Sequence, residues 1–121
     1  ELPPGKRAWP YHYHAGNEEA LYVLAGEGTL RHDGGTSPLR AGDYVVLPAG
    51  REGAHRVVND SDGVLRYLAL STMSDPEVLV YPDSDKVGAL AGSAPGGEGD
   101  RDVSAYFRRE DSVDYWDGEG E

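Results

Sequence analysis

The 17 glycines and 8 prolines of this chain cut its 121 residues into short runs. A helical bundle tolerates neither residue in its interior, whereas a chain that turns often between short strands uses both at its turns. The constraint points to an all-β domain. "ALYVLAG" (20–26) and "GTLRH" (28–32) flank Gly26-Glu27-Gly28 and predict a hairpin, and Asp33-Gly34-Gly35 marks a second turn. "DYVVLPAG" (43–50), "HRVVN" (55–59), "VLRYLALS" (64–71) and "EVLVY" (77–81) follow as further strands, with the cluster Asn59-Asp60-Ser61-Asp62-Gly63 between two of them. No window shows a sustained 3.6-residue period, and closely spaced strands of this kind predict a sandwich or barrel.

The length allows one domain with a modest core. Residues 1–90 carry the strands. "AGSAPGGEGDRD", from residue 91 to 102, holds too little apolar surface to offset the entropy of ordering and reads as a flexible Gly-rich loop. The segment 103–121 brings back Tyr106, Phe107, Tyr115 and Trp116, which favours a C-terminal tail that docks on the barrel or on a partner subunit.

Charge and composition exclude several classes of function. A net charge of -11, from 22 acidic and 11 basic side chains, repels phosphate backbones and anionic lipid surfaces. Arg108-Arg109 is the densest basic pair and acids follow it at once, so no nucleic-acid partner is expected. The apolar runs are too short for a membrane span, no signal-peptide pattern is present, and the absence of cysteine fits a cytoplasmic location. Because the first residue is Glu1 rather than Met, a leading strand can be missing from the chain.

Two of the four histidines lie one residue apart in "PYHYHAGNEE" (10–19). On a strand, His12 and His14 face the same side with Cα atoms about 6–7 Å apart, close enough for both imidazoles to hold one metal ion. The "AGN" turn then lets the chain fold back, so that either Glu18 or Glu19, but not both, aims a carboxylate at the same point. A third histidine, His55, heads a strand after the Pro48-Ala49-Gly50 turn. His32 stands at the edge of the Asp33-Gly34-Gly35 turn and reads as a surface residue.

These two segments together resemble the motifs of the cupin superfamily, G-x5-H-x-H-x3,4-E-x6-G and G-x5-P-x-G-x2-H-x3-N. Four residues separate His14 from Glu19 and six separate Glu19 from Gly26, a spacing that selects Glu19 over Glu18. Gly42, Pro48, Gly50, His55 and Asn59 fill the second motif. Two departures stand out: Gly5 precedes His12 by one residue too many, and four residues rather than two separate Gly50 from His55.

The resemblance covers residues 5 to 70. It implies an antiparallel jelly-roll β-barrel over residues 1–90, with His12, His14, Glu19 and His55 facing inward around one divalent transition metal. Three imidazoles and a carboxylate form a borderline donor set suited to Fe, Mn, Zn, Ni, Co or Cu. Cupins host many reactions and also plain binding. The expected function is a metal-dependent enzyme that oxygenates or isomerises a small organic substrate, as a dioxygenase or a sugar-phosphate-type isomerase. The alternatives are a non-catalytic cupin that binds a small-molecule ligand, and a barrel whose altered spacing before His55 has cost it the metal. Arg56, next to His55, should face outward by alternation, so no cationic clamp for a phosphate can be placed. A homodimer is expected, since cupins commonly pair through their sheets.

Overall fold

The computed structural model describes residues 1–120. Ten strands form along the chain: β1 (Arg7–His14), β2 (Glu19–Ala25), β3 (Glu27–His32), β4 (Gly35–Arg40), β5 (Tyr44–Leu47), β6 (His55–Val58), β7 (Arg66–Ser71), β8 (Glu77–Tyr81), β9 (Lys86–Ala91) and β10 (Val103–Arg108). They build two antiparallel sheets, one ordered β10-β9-β8-β1-β6-β3-β4 and the other β5-β2-β7. The fold is an all-β antiparallel jelly roll.

Alternation explains how the sheets meet. Leu21 and Val23 of β2 point inward and are buried, while Tyr22 and Leu24 between and beyond them face out. Leu30, Leu39, Leu47 and Val57 join them from the other strands, with Leu2 and Leu65 filling the space beside. Leu65 is fully buried, and its backbone exchanges two hydrogen bonds with Leu2. Asn59, also fully buried, donates to the Leu2 and Gly63 carbonyls and accepts from Ser61, which locks the turn after β6.

Residues 20–26 and 28–32 do not form the expected hairpin. β2 pairs with β5 and β7, whereas β3 pairs with β4 and β6, so the chain crosses from one sheet to the other at Gly26. Gly26 has φ 85°, and a Cβ there would meet the Val64 carbonyl oxygen at 2.3 Å. An alternating run ending in glycine looks the same at a hairpin and at such a corner. Strands β4 and β9 also escape the sequence pattern. Pro38 interrupts β4, which tolerates it as the last strand of its sheet, and Gly88 interrupts β9, where a Cβ would meet the Tyr106 ring at 2.7 Å. β10 extends the large sheet by pairing along its whole length with β9.

Candidate metal centre

β1 lies in the middle of the large sheet, between β8 and β6. Its register against β6 runs from Ala8↔Val57 to His12↔His55, so Trp9 to Tyr11 bulge out opposite Arg56 alone. Trp9 takes φ 40°, an unusual conformation for a bulky side chain, and is 77% exposed at the cavity rim. The bulge also turns the Pro10 carbonyl toward the ring of His12, which donates to it from Nδ1 at 2.7 Å. His12 and His55 are thereby cross-strand neighbours, their rings 4.8 Å apart, and the His14 ring lies 5.1 Å from that of His12.

The two extra residues before His55 are absorbed locally. Arg51–Gly53 form a single 3-10 turn, tied to β1 by the bond from Gly50 N to the His14 carbonyl. Gly53 is required there, because a Cβ would meet the Pro48 carbonyl oxygen at 1.8 Å. Its own carbonyl accepts from His55 Nδ1 at 2.8 Å. The longer turn therefore still delivers a buried His55, with Nε2 directed away from the backbone and 3.6 Å from Glu19 Oε1.

Glu19 opens β2 and crosses to the site from the smaller sheet, whereas Glu18 is exposed. Ligand atoms of His12, His14 and Glu19 all lie within 4.8 Å of one another. His14 Nε2 stands 2.8 Å from Glu19 Oε1, yet the two do not align as a hydrogen bond, and both atoms are buried without a hydrogen-bond partner. His32 lies apart, half-buried, with Ser37 Oγ on one ring nitrogen and the Gly34 N–H on the other.

Burial pushes His12 and His55 below the ordinary histidine value and so favours the neutral, ligating form. For His14 burial acts in the same direction, but Glu19 and Glu77 outweigh it and the net shift is upward. The paired shift is seen at Glu19, where the His14 contact overcomes the burial that would raise its carboxyl.

Glu77 and Asn17, both almost fully buried, have no counterpart among the residues singled out from sequence. The Glu77 carboxylate lies 3.4 Å from His14 Nδ1 and accepts from the backbone of Gly16, Asn17 and Val78 and from the Asn17 side chain. Asn17 in turn accepts from Thr72 Oγ1 and Ser74 N. The pair holds the β1–β2 turn and sits behind His14. The only sequence signal was a charged residue at the inward phase of an otherwise apolar strand.

A cavity of about 590 Å³ opens in front of the four residues. Leu21 and Val57 line it, as their phase with Glu19 and His55 suggests, while Val23 belongs to the core. Arg56 stands at the edge of this wall, but it follows the alternation of β6, in which His55 and Val57 are buried and Arg56 between them is half-buried and in register with Arg31. The remaining wall comes from beyond residue 71, with Leu79, Tyr81, Leu90, Arg101 and Tyr106 among its members. Tyr81 stacks on His12 at 5.9 Å, and burial pushes its phenol up to about 12, so the hydroxyl keeps its proton at neutral pH.

Residues 1–71 match the family described as Cupin domain. This chain is a cupin. Its fold resembles that of a sugar phosphate isomerase of the cupin superfamily from Silicibacter pomeroyi, with 28% identity and a TM-score of 0.79 over 96% of this chain and 68% of the other. A proposed sugar phosphate isomerase from Acidithiobacillus ferrooxidans gives 32% identity and a TM-score of 0.74, over 92% and 65% of the two chains. Among curated proteins, an oxalate-binding protein from Thermotoga maritima is 34% identical over 70 residues, 58% of this cupin and 55% of the relative. The chain thus spans about half the length of that relative.

Proposed function

We propose that this cupin holds one divalent transition metal on His12, His14, Glu19 and His55 and acts there on a small organic molecule, by oxygenation or by isomerisation of a sugar-phosphate type. The carrying observation is the convergence of His12, His14 and Glu19 ligand atoms within 4.8 Å of one another, with His14 Nε2 and Glu19 Oε1 buried and not hydrogen-bonded, in a site where His12 and His55 have their Nδ1 atoms occupied by backbone carbonyls. A cation would satisfy those atoms, which otherwise carry a desolvation cost. Three nitrogens and one oxygen suit the first-row metals from iron to zinc, and sulfur-preferring ions have no cysteine to bind. When bound, such an ion supplies Lewis acidity or redox chemistry to a ligand in its open positions. The chain's own residues do the rest. Leu21, Val57, Leu79 and Leu90 exclude water, and the Tyr81 ring, stacked on His12, keeps a protonated hydroxyl in the same cavity.

Non-catalytic ligand binding is the second reading. It is favoured by the cavity wall, where Glu19 is the one carboxylate and no lysine stands beside the ligand set to serve as a general base. The oxalate-binding relative fits the same reading. Elemental analysis by plasma mass spectrometry separates the cases. About one metal per chain, lost in His12→Ala and His55→Ala, supports the assignment, and a chain that keeps its metal without His55 overturns it. Iron, copper or manganese with substrate-dependent oxygen uptake favours oxygenation; zinc without turnover favours binding.

The proposal extends to a homodimer. Tyr22, Tyr44, Val46, Leu68 and Leu70 are exposed on the outer side of β5-β2-β7, and the registers place Tyr22 between Tyr44 and Leu68, with Val46 and Leu70 flanking Ala20. An apolar face running across all three strands suits a second copy of itself. Sedimentation equilibrium should give a dimer, and Tyr44→Glu should shift it to monomer.

A further inference from the structure

We infer that Trp9 and Met73 hold the body of the ligand at the cavity mouth, and that this body is an aromatic ring or a branched hydrocarbon rather than a polyhydroxylated sugar phosphate. The inference rests on the reading of this cavity as the ligand site beside the metal set, and names the class of molecule it takes. Among the described residues only three other than glycine adopt a left-handed backbone: Trp9 at φ 40°, Met73 at φ 56° and Asp85 at φ 51°. Asp85 sits in the turn between β8 and β9, where an aspartate takes this conformation readily. The other two are large and apolar, a combination that carries backbone strain. Both line the cavity, yet they stay 77% and 47% exposed.

The chain around each of them is fixed. Trp9 lies in the β1 bulge, bounded on one side by the Ala8↔Val57 pair and on the other by the bond from His12 Nδ1 to the Pro10 carbonyl. Met73 is tied on both sides to the β1–β2 turn, for Thr72 N donates to the Glu18 carbonyl and Ser74 N to Asn17 Oδ1. Neither side chain gains burial that would offset its strain, whereas an apolar molecule seated against them removes both from water. The rest of the wall agrees in chemistry. Leu21, Val57, Leu79 and Leu90 are buried in it, and Tyr106 adds an exposed ring. A sugar phosphate carries a hydroxyl on nearly every carbon, and each needs a partner once water is excluded. The wall holds no asparagine, glutamine, aspartate, threonine or lysine among the described residues. The Ser71 hydroxyl already accepts from Met73 N, and Arg101 directs two of its donors to the Ser93 and Ala94 carbonyls. A pocket so composed selects hydrocarbon and leaves the oxygen atoms of its ligand to the metal end.

Calorimetric titration of the full, metal-loaded chain with catechol, 4-propylcatechol and ribose 5-phosphate tests the inference, metal content being measured on every sample. The propyl group should tighten binding at least about tenfold over catechol, a scale set by burying its carbons, and ribose 5-phosphate should bind at least about tenfold more weakly than 4-propylcatechol. Glycine suits the left-handed backbone, so Trp9→Gly and Met73→Gly should each fold with a melting temperature no lower than that of the native chain. Each should still lose about threefold or more of the propyl gain while catechol affinity is unchanged. In Trp116→Phe, Trp9 is the single tryptophan, and its emission should move to the blue as 4-propylcatechol covers it. Equal affinity for catechol and 4-propylcatechol, tighter binding of ribose 5-phosphate, an unmoved Trp9 emission at saturation, or a propyl gain untouched in Trp9→Gly overturns the inference, even where Met73→Gly fails to fold. A propyl gain that depends on Trp9 in protein holding no metal overturns the metal assignment and leaves this one standing; metal-loaded protein without that gain does the reverse.

Discussion

The first 71 residues of this cupin and those that follow contribute to one cavity in different ways. The earlier part supplies all four candidate ligands and most of the leucine and valine core. The later part supplies a wall, with Tyr81, Leu90, Arg101 and Tyr106, and one residue, Glu77, that reaches back to His14. On the proposed reading, the metal set and much of the wall that faces a bound molecule come from separate stretches of chain. A barrel of this kind can change what it binds by altering its last three strands and their loops while the ligand-bearing strands stay as they are.

The comparison is tested most severely in the core. Leu65→Ala should cost about 2–5 kcal/mol in urea unfolding, because Leu65 is wholly enclosed and the space it leaves cannot collapse easily. A much smaller loss would mean that the early region does not dominate the fold. Glu77→Gln probes the crossing point between the two parts. It should weaken metal binding about 10–100-fold through His14 while the protein stays folded; unchanged affinity would leave Glu77 as a brace of the β1–β2 turn only. Tyr81→Phe keeps the ring on His12 and removes the hydroxyl, so metal content should stay constant while affinity for an organic ligand falls about three- to tenfold. Loss of metal in that variant would break the division of labour.

The smallest expected effect is that of pH on EDTA-stripped protein, followed by thermal melting between about pH 7 and about pH 5. Burial holds His12 and His55 below the ordinary value of 6.5. Below that value the unfolded chain takes up protons that the folded chain refuses, so stability falls with pH. Glu19, held low by His14, adds a loss in the same direction as pH passes down through its ordinary value of 4.5 and toward its folded one. His14 opposes them, since its raised value gives stability that is full below 6.5 and fades as pH rises through the folded value. A melting temperature that rises on acidification would show the His14–Glu19 contact to dominate the site.

Much of this was legible in the residues. Alternation around Leu21, Val23, His55 and Val57 gave the inward faces, and the spacing from His14 to Glu19 picked the buried carboxylate over the exposed Glu18. What escaped detection is two-dimensional. Whether Gly26 turns a hairpin or a sheet-crossing corner depends on the Val64 carbonyl, far along the chain. Glu77 and Asn17 find each other across some 60 positions, a separation at which local pattern carries no signal. The 3-10 turn at Arg51–Gly53 shows the opposite case, in which a spacing error on paper is absorbed within a few residues.

The four candidate ligands are also distributed between layers, for β1 and β6 belong to the large sheet and β2 to the small one. An ion held by all four would be a cross-link between the two sheets as well as a reagent, closing the stretch of chain from His12 to His55 into a loop. Unfolding would then require the two sheets to part and the ion to leave together, so chelators should speed the opening of the barrel and excess metal should slow it by mass action. Availability of the metal would set how long the folded cupin survives, independently of any substrate.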